Sequence, residues 1–155
     1  MMTYDKFISE SLAGGLIQKQ KSSVSAVEKL LKRSTKDLLA SKANLKIDEG
    51  ITYTVAYLAM LRAARGFMLL KGFRPSNGYQ HKTVVRFMGE ALGKEYVGII
   101  ERFDRMRRKR NIFTYEIDTT ISRTEAVESL RTAEEFVRLI IGIVQKENPQ
   151  GNFRF

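Results

Sequence analysis

The run from residue 49 to residue 71 is apolar on most faces when it is wound into a helix. An ordinary surface helix carries one apolar stripe and an opposite polar face, and this run does not. Because exposed apolar surface is costly, such a helix needs neighbours on nearly every side. We therefore predict a central helix over 49–71, with Asp48 as its N-cap and the other helices packed around it.

Four further segments carry apolar residues at the three-and-four spacing of amphipathic helices. They cover about 25–45, 80–92, a stretch from about 95 into the arginine-rich run, and a stretch from about 122 to Asn148-Pro149, with a connection at 115–121. Ser25 with Glu28, and Ser122 with Glu125, have the spacing of capping boxes at the starts of two of them. No alternating pattern of any length predicts strands. Short connections favour antiparallel neighbours, so the predicted fold class is an all-α antiparallel bundle of four to five helices.

With 155 residues, the chain is long enough for one domain with its own core. We expect a single domain over 1–155, with a flexible N-terminal segment at 1–21 and a frayed tail at 148–155. The sequence contains no cysteine, which suits a reducing interior, and no apolar stretch near the length of a membrane span. A cytoplasmic protein without a membrane anchor is the expectation.

The formal net charge of +10 favours an anionic partner: nucleic acid, a nucleotide, an acidic protein or an anionic membrane surface. Charge alone does not choose among them. The chain has one histidine, His81, and no cysteine. A metal site built on His or Cys, or a Ser-His-Asp triad with spare ligands, is therefore hard to assemble, and we expect neither a metal nor a cofactor.

Residues 101–115, ERFDRMRRKRNIFTY, form the most unusual stretch of the sequence. On a helix, Arg107 and Arg110 fall within the apolar stripe, whereas the other basic side chains of this stretch point away. The stripe consists of Tyr96, Ile99, Phe103, Met106 and Phe113. A guanidinium there must be paired or must face a pocket or interface, because burying it alone is costly. The alternative is that the helix frays before Arg110 and leaves ordinary solvated arginines.

The phrase RRKRNIFTYE at 107–116, at the end of the penultimate predicted helix, resembles the HEPN family (higher eukaryotes and prokaryotes nucleotide-binding). The resemblance extends over about residues 24–147. It implies an up-and-down bundle of four or five helices, often a homodimer in which the motifs of two protomers meet. Many such proteins are metal-independent ribonucleases, and others are partners of minimal nucleotidyltransferases in toxin–antitoxin pairs.

The motif of active family members is an arginine, then four to six residues of which the first is commonly polar, then a histidine. Arg110 and Asn111 match the first two places, but Tyr115, Glu116 and Ile117 occupy the three positions open to the histidine. An imidazole is suited to proton transfer at neutral pH, whereas the ordinary pKa of tyrosine is about 10. The resemblance therefore implies a protein that binds without efficient cleavage.

In that interpretation Arg107, Arg110, Asn111 and Tyr115 line a cleft between two subunits and bind a nucleotide or an RNA phosphate. In the alternative, a divergent metal-independent ribonuclease, Arg110 steadies the charge on the phosphate and Tyr115 stands in place of the histidine. A third hypothesis is a partner subunit for a minimal nucleotidyltransferase. All three share the helical bundle.

Other candidate residues have simpler interpretations. His81 lies at the start of a predicted helix, where a structural use is the favoured hypothesis. The family resemblance places the central helix beside the motif helix, where its arginines and tyrosines could extend an anionic site. The favoured prediction is that Arg62 and Arg65 form salt bridges with Asp37, Glu101 or Asp104, and that Tyr53 and Tyr57 fill the core.

Overall fold

The computed structural model of the chain describes residues 2–76 and 81–155, and six α-helices account for most of these residues. They are α1 (Tyr4–Ala13), α2 (Val24–Ala43), α3 (Glu49–Leu70), α4 (His81–Leu92), α5 (Val97–Tyr115) and α6 (Arg123–Glu147). Short 3-10 turns at Asn44–Lys46 and Lys94–Tyr96 precede α3 and α5. The all-α helical bundle predicted from the sequence is confirmed.

Helix α3 is the central helix of the bundle, as its composition predicts, and it packs against α2, α4, α5 and α6. Asp48 caps it, accepting a hydrogen bond from the Ile51 backbone N–H at 3.1 Å. Small residues on its surface let neighbouring helices approach closely. At Gly66 an added Cβ would lie 3.3 Å from Leu31 Cδ2, a contact tight enough to require an adjustment of α2.

The starts of α2 and α6 test the two predicted capping boxes. The box at Ser122 and Glu125 is confirmed, with both reciprocal hydrogen bonds present. The box at Ser25 is wrong, because Ser23, whose backbone is extended, is the N-cap and accepts from the Ala26 N–H at 3.1 Å. Glu28 instead accepts a hydrogen bond from the backbone N–H of Asn152 at 2.8 Å.

Two short strands, which the sequence does not predict, join the N-terminal segment to the end of α3. Strand β1 (Ile17–Lys19) pairs with β2 (Phe73–Pro75) in antiparallel register, with Gln18 opposite Arg74. Three residues are too few to show an alternating pattern in the sequence. Between α3 and β2, Gly72 adopts a φ of +91°, a conformation that favours glycine and turns the chain toward β1.

Both terminal segments contribute to the core. Within the segment predicted to be flexible, Phe7 and Ile17 are each 2% exposed, and Phe7 makes an edge-to-face contact with Phe87 of α4. Within the segment predicted to be a frayed tail, Phe153 is 3% exposed. These aromatic and aliphatic side chains extend the core beyond the predicted helices.

Helix α4 begins at His81, and Gln80, with which its predicted range begins, lies outside the described residues. Over residues 2–76 and 81–155, no helix combines the length and the apolar character needed to cross a membrane.

Candidate functional site

Helix α5 continues to Tyr115, so the arginine-rich stretch is helical along its whole length. The alternative in which the helix frays before Arg110 is therefore wrong. Phe103 and Met106 anchor the helix in the core, and Phe113 holds its last turn against the start of α3. That last contact needs a glycine, because a Cβ at Gly50 would overlap the Phe113 ring.

Arg107 is an arginine with a carboxylate partner on the same helix. Its Nε donates to Asp104 Oδ1 at 2.9 Å, and its side chain is 15% exposed. The other Asp104 oxygen lies 3.4 Å from Nε of Arg108, an exposed residue. Asp104 thus holds Arg107 in place while one side of the pair faces solvent, so part of the charge of Arg107 is offset before any ligand arrives.

Arg110 differs from Arg107 because no carboxylate pairs with it among the described residues. Its Nη1 donates to Asn111 Oδ1 at 3.3 Å, and its buried Nε has no hydrogen-bond partner. A buried donor without a partner costs about 1–3 kcal/mol of stability. Arg110 is therefore poorly accounted for as a structural residue, and an anionic ligand would offset the charge that the protein leaves unpaired.

Tyr57 of α3 and His81 of α4 form a hydrogen-bonded pair, and the charges of both arginines act on the Tyr57 hydroxyl. The Tyr57 hydroxyl lies 3.1 Å from His81 Nδ1, and the two ring centroids are 5.8 Å apart. Burial raises the pKa of Tyr57, while the positive charges of Arg110 and Arg107 act to lower it and Asp104 acts to raise it. The hydroxyl therefore stays protonated at neutral pH, in a place where both guanidinium groups act on it.

The four residues Tyr57, His81, Arg107 and Arg110, from helices α3, α4 and α5, are hereafter the Arg110 cluster. The sequence singles out its two arginines. For Tyr57 it favours a place in the core over a place in an anionic site, and for His81 it favours a structural use over a part in the chemistry. Nothing in their spacing along the chain brings them together, because the meeting point is set by the packing of three helices.

The remaining predicted site residues lie differently. Asn111 is half-buried and bonded to Arg110, as above, whereas the side chain of Tyr115 is 78% exposed. No hydrogen bond or ion pair joins Tyr115 to Arg110 in the described part of the chain. The structure thus brings Arg107, Arg110 and Asn111 to one region of the chain and leaves Tyr115 exposed.

The predictions for the other polar residues of α3 have mixed outcomes. Arg62 pairs with the buried Asp37, as predicted, and Tyr53 and Tyr57 are buried in the core. Burial raises the pKa of Tyr53 to about 12. The predicted salt bridge of Arg65 is wrong: this side chain is exposed, and it forms no ion pair among residues 2–76 and 81–155.

A groove of about 560 Å³ lies between α4 and α5, close to the motif. It is lined by basic residues (Lys82, Arg86, Arg105, Arg108) and by acidic ones (Glu90, Glu101, Asp104). Its charges largely compensate one another, so it is less suited to a phosphate than the Arg110 cluster. In the part of the chain that the structure describes, no group of three or more His, Asp or Glu residues is placed to hold a metal ion.

Comparison with known proteins gives one family. A model of the HEPN domain matches residues 27–145, which include α3, α4, α5 and all four residues of the Arg110 cluster. No curated protein matches the chain at a significant level of sequence similarity.

Proposed function

Since the chain belongs to the HEPN domain family, whose members are helical proteins that bind nucleotides or RNA or resemble ribonucleases, we propose that it binds the phosphate of a nucleotide or RNA at the Arg110 cluster. The observation that carries the proposal is Arg110 itself. Its guanidinium is half-buried, lacks a carboxylate partner among the described residues and has a buried N–H without a hydrogen bond. Charge-assisted bonds from arginine to phosphate are strong and directional, which makes this group suited to the role.

The electrostatics of the whole chain support the same ligand class. A net charge of +10 attracts polyanions over long range and raises their rate of encounter. Long-range attraction does not define a site, however, because it is shared among 27 lysines and arginines. The local asymmetry between paired Arg107 and unpaired Arg110 is what distinguishes this place from the rest of the basic surface.

The test compares two variants that remove the same charge from the same helix. Arg110→Met removes the unpaired guanidinium, and Arg105→Met removes an exposed one that forms no ion pair within the described chain. Binding of a labelled single-stranded oligoribonucleotide should weaken about tenfold or more in Arg110→Met, the equivalent of one charge-assisted hydrogen bond. In Arg105→Met it should change less than about twofold. Equal losses would mean that only net charge matters, and would contradict a site at Arg110.

We further propose that the protein is a homodimer whose two motifs meet in a cleft. Exposed apolar side chains surround the end of α5 and the start of α3, and we call them the apolar end: Ile47, Ile51, Ile112, Tyr115 and Ile117. Ile117 is 98% exposed and Tyr115 is 78% exposed. Covering these side chains with a second copy would remove apolar area from water and would place Tyr115 at the interface.

Sedimentation equilibrium tests the dimer. We expect a dimer at micromolar concentration, a monomer for Ile112→Glu, and an unchanged dimer for the control Leu39→Glu, which adds the same charge at a residue 70% exposed on α2. A monomeric wild-type protein would contradict the inter-subunit cleft. A dimer that survives Ile112→Glu would place the interface elsewhere.

The alternative function, a metal-independent ribonuclease with a divergent Arg-Asn-x3-Tyr motif, needs Tyr115 close to Arg110. Tyr115 is 78% exposed, so within one chain it lies on the surface. Because the ordinary pKa of tyrosine, about 10, makes it a poor base at neutral pH, we expect end-labelled mixed-sequence RNA to stay intact when it is incubated with the protein in EDTA. Cleavage that is lost in both Arg110→Ala and Tyr115→Phe would favour the ribonuclease over the binding protein.

A partnership with a minimal nucleotidyltransferase, in a toxin–antitoxin type of system, is a further proposal. The family resemblance suggests it, and the basic surface of this chain suits an acidic partner face. Co-expression should give a stable complex that dissociates as the salt concentration rises. A complex unaffected by salt, or none at all, would count against an electrostatic partnership.

A further inference from the structure

We propose that a groove between α2 and α6 docks an acidic amphipathic helix of a partner protein. The groove has a volume of about 520 Å³, and residues 153–155, which follow α6, also line it. None of its lining residues belongs to the Arg110 cluster or to the apolar end. The inference therefore goes beyond the function proposed above and does not rest on it.

The two long walls of the groove are helical stripes of the same spacing. Helix α2 contributes residues at i, i+3, i+4 and i+7, which are Thr35, Leu38, Leu39 and Lys42. Helix α6 contributes four residues at that same spacing, from Glu134 to Ile141. Residues spaced in this way lie on one face of a helix, and seven residues of helix rise about 10 Å. The groove thus offers two turns of each helix to an elongated occupant.

The groove is shallow and largely apolar. Leu39 is 70% exposed and Phe155 is 49% exposed, although both line the groove, and Leu38 and Ile141 are half-buried. A small-molecule site encloses most of the surface of its ligand, which side chains this exposed do not. A helix laid along the two stripes would cover all four side chains, in the way that amphipathic helices dock in apolar grooves.

The tail after α6 is a fixed part of the groove. Phe153 is 3% exposed and belongs to the core, and the backbone N–H of Asn152 donates to Glu28 Oε1 of α2 at 2.8 Å. These contacts on either side hold Arg154 against the groove, and Phe155 follows it. The end of the groove is therefore built by the same packing that completes the core.

Cations from three elements surround this apolar surface: Lys42 of α2, Arg138 of α6 and Arg154 of the tail. All three side chains are exposed, and none of them forms an ion pair with another described residue. Glu134 is the one carboxylate among the described residues that line the groove, so the lining is net positive. A partner with carboxylates beside its apolar stripe would meet these cations at the rim, where complementary charges speed association and set orientation.

An acidic helix suits this groove better than RNA or a second copy of the chain. The side chains of Leu38, Leu39 and Ile141 are aliphatic and provide no ring on which a base could stack. A second copy carries the same net charge of +10, so charge repulsion opposes its approach to a basic groove. The apolar walls and the basic rim together specify a partner surface that is both apolar and acidic.

The first experiment measures the binding of two fluorescent synthetic peptides to the full chain by anisotropy. Each is about 18 residues long, enough to form a helix, with one leucine stripe and alanine elsewhere. Glutamates flank the stripe in one peptide and lysines in the other. We expect the glutamate peptide to bind in the micromolar range, more weakly as salt rises, and the lysine peptide to bind at least about tenfold more weakly. Equal affinities, or no binding of the glutamate peptide, would overturn the proposal.

The second experiment locates the binding site with charge-changing variants. Leu39→Glu, at an exposed residue where the fold should persist, should weaken the glutamate peptide about tenfold or more, because it places a carboxylate in the apolar stripe. Arg138→Glu should weaken it about three- to tenfold. The control Arg65→Glu makes the same charge change at an exposed residue of α3 outside the groove, and should change affinity less than about twofold. Equal losses in Arg138→Glu and Arg65→Glu would mean that net charge alone attracts the peptide, and would overturn the proposal.

The remaining outcomes separate this groove from the sites proposed above. Ile112→Glu and Arg110→Met should bind the glutamate peptide like the wild type. Conversion of a wild-type dimer into a monomer by Leu39→Glu would assign the groove to a second copy. Displacement of the peptide from Arg110→Met by a single-stranded oligoribonucleotide would assign it to RNA. Either of these two results would overturn the proposal.

Discussion

Two half-buried arginines, Arg62 on α3 and Arg110 on α5, differ in whether a carboxylate pairs with them. Arg62 donates to Asp37, a carboxylate that is 3% exposed and that also lies 3.5 Å from Arg33 Nε. Arg110 has one 3.3 Å contact to the neighbouring amide of Asn111, and its Nε has no partner. One arginine completes a buried ion pair, and the other is left with hydrogen-bonding capacity unused.

The surroundings of the two arginines repeat this difference. Between α2 and α3 the buried polar groups are matched: Ser34 Oγ donates to the Ala59 carbonyl at 2.6 Å. The hydroxyls of Ser41 and Thr52 each donate to the other residue's carbonyl, at 2.7 and 2.8 Å. The end of α5 instead carries exposed apolar side chains beside an unpaired cation. The difference indicates that α2 and α3 maintain the fold, whereas the end of α5 is available for a ligand or a partner.

The largest effect on stability is expected when the buried carboxylate of Asp37, between α2 and α3, loses Arg62 as its partner. Arg62→Met leaves the carboxylate of Asp37 buried with Arg33 as its remaining partner, and should lower the free energy of unfolding by about 2–4 kcal/mol. Urea denaturation measures the change. The control Arg65→Met, at an exposed position on the same helix, should change it by less than about 0.5 kcal/mol. If both substitutions changed the free energy of unfolding equally, the ion pair with Asp37 would not be what makes Arg62 structural.

A smaller effect is expected where the two regions touch. Gly50→Ala places a Cβ that overlaps two atoms of the Phe113 ring. It should lower the free energy of unfolding by about 1–3 kcal/mol, the usual penalty for overpacking. Since Phe113 lies one turn after Arg110, RNA affinity should fall as well. Phe113→Leu introduced into Gly50→Ala should recover part of both losses. Strictly additive losses in the double variant would show that the overlap with Phe113 is not their cause.

The sequence predicts the fold around α2 and α3 better than it predicts the site at the end of α5. The apolar faces of residues 49–71 predict that α3 is central, and residue type and spacing identify Asp48 and Ser122 as N-caps. Both predictions succeed because they depend on residues that are close together in the chain. Helical spacing also places Arg107 and Arg110 on the inward face of α5. Ser25 was the wrong cap because Ser23, two residues earlier, has equivalent side-chain chemistry and the extended backbone.

The site is less predictable because it depends on distant residues. Tyr57 and His81 are 24 positions apart, and their hydrogen bond exists only after α3 and α4 pack together. The exposure of Tyr115 likewise depends on where α5 ends relative to the rest of the bundle. The spacing of residues within α5 therefore predicts the position of its arginines, but it does not predict that Tyr57 and His81 pair with each other.

The smallest effect is expected at the start of α6, where the exposed carboxylate of Glu125 meets Lys109, the residue before Arg110. The backbone N–H of Ser122 lowers the pKa of Glu125, and Lys109, 3.3 Å away, adds to this. The lowered pKa means that ionised Glu125 stabilises the fold above the ordinary pKa of 4.5, and that this is lost as pH falls through the folded-state value. At 40% exposure the contribution should be only about 0.5 kcal/mol.

Thermal unfolding of the wild type and Glu125→Gln between pH 3 and pH 7 checks this. The wild type should be slightly more stable at pH 7, and the difference should vanish at the acidic end. A constant difference at all pH values would mean that the carboxylate charge has no part in the cap.

The most direct test of the central claim measures two quantities on Arg110→Met: the free energy of unfolding and the affinity for a single-stranded oligoribonucleotide. Because the substitution removes a buried donor without a partner, the free energy of unfolding should stay the same or rise by up to about 1 kcal/mol. Affinity should fall about tenfold or more. A variant that loses stability but binds RNA like the wild type would show that Arg110 is a structural residue, and would contradict the assignment of this cluster as the ligand site.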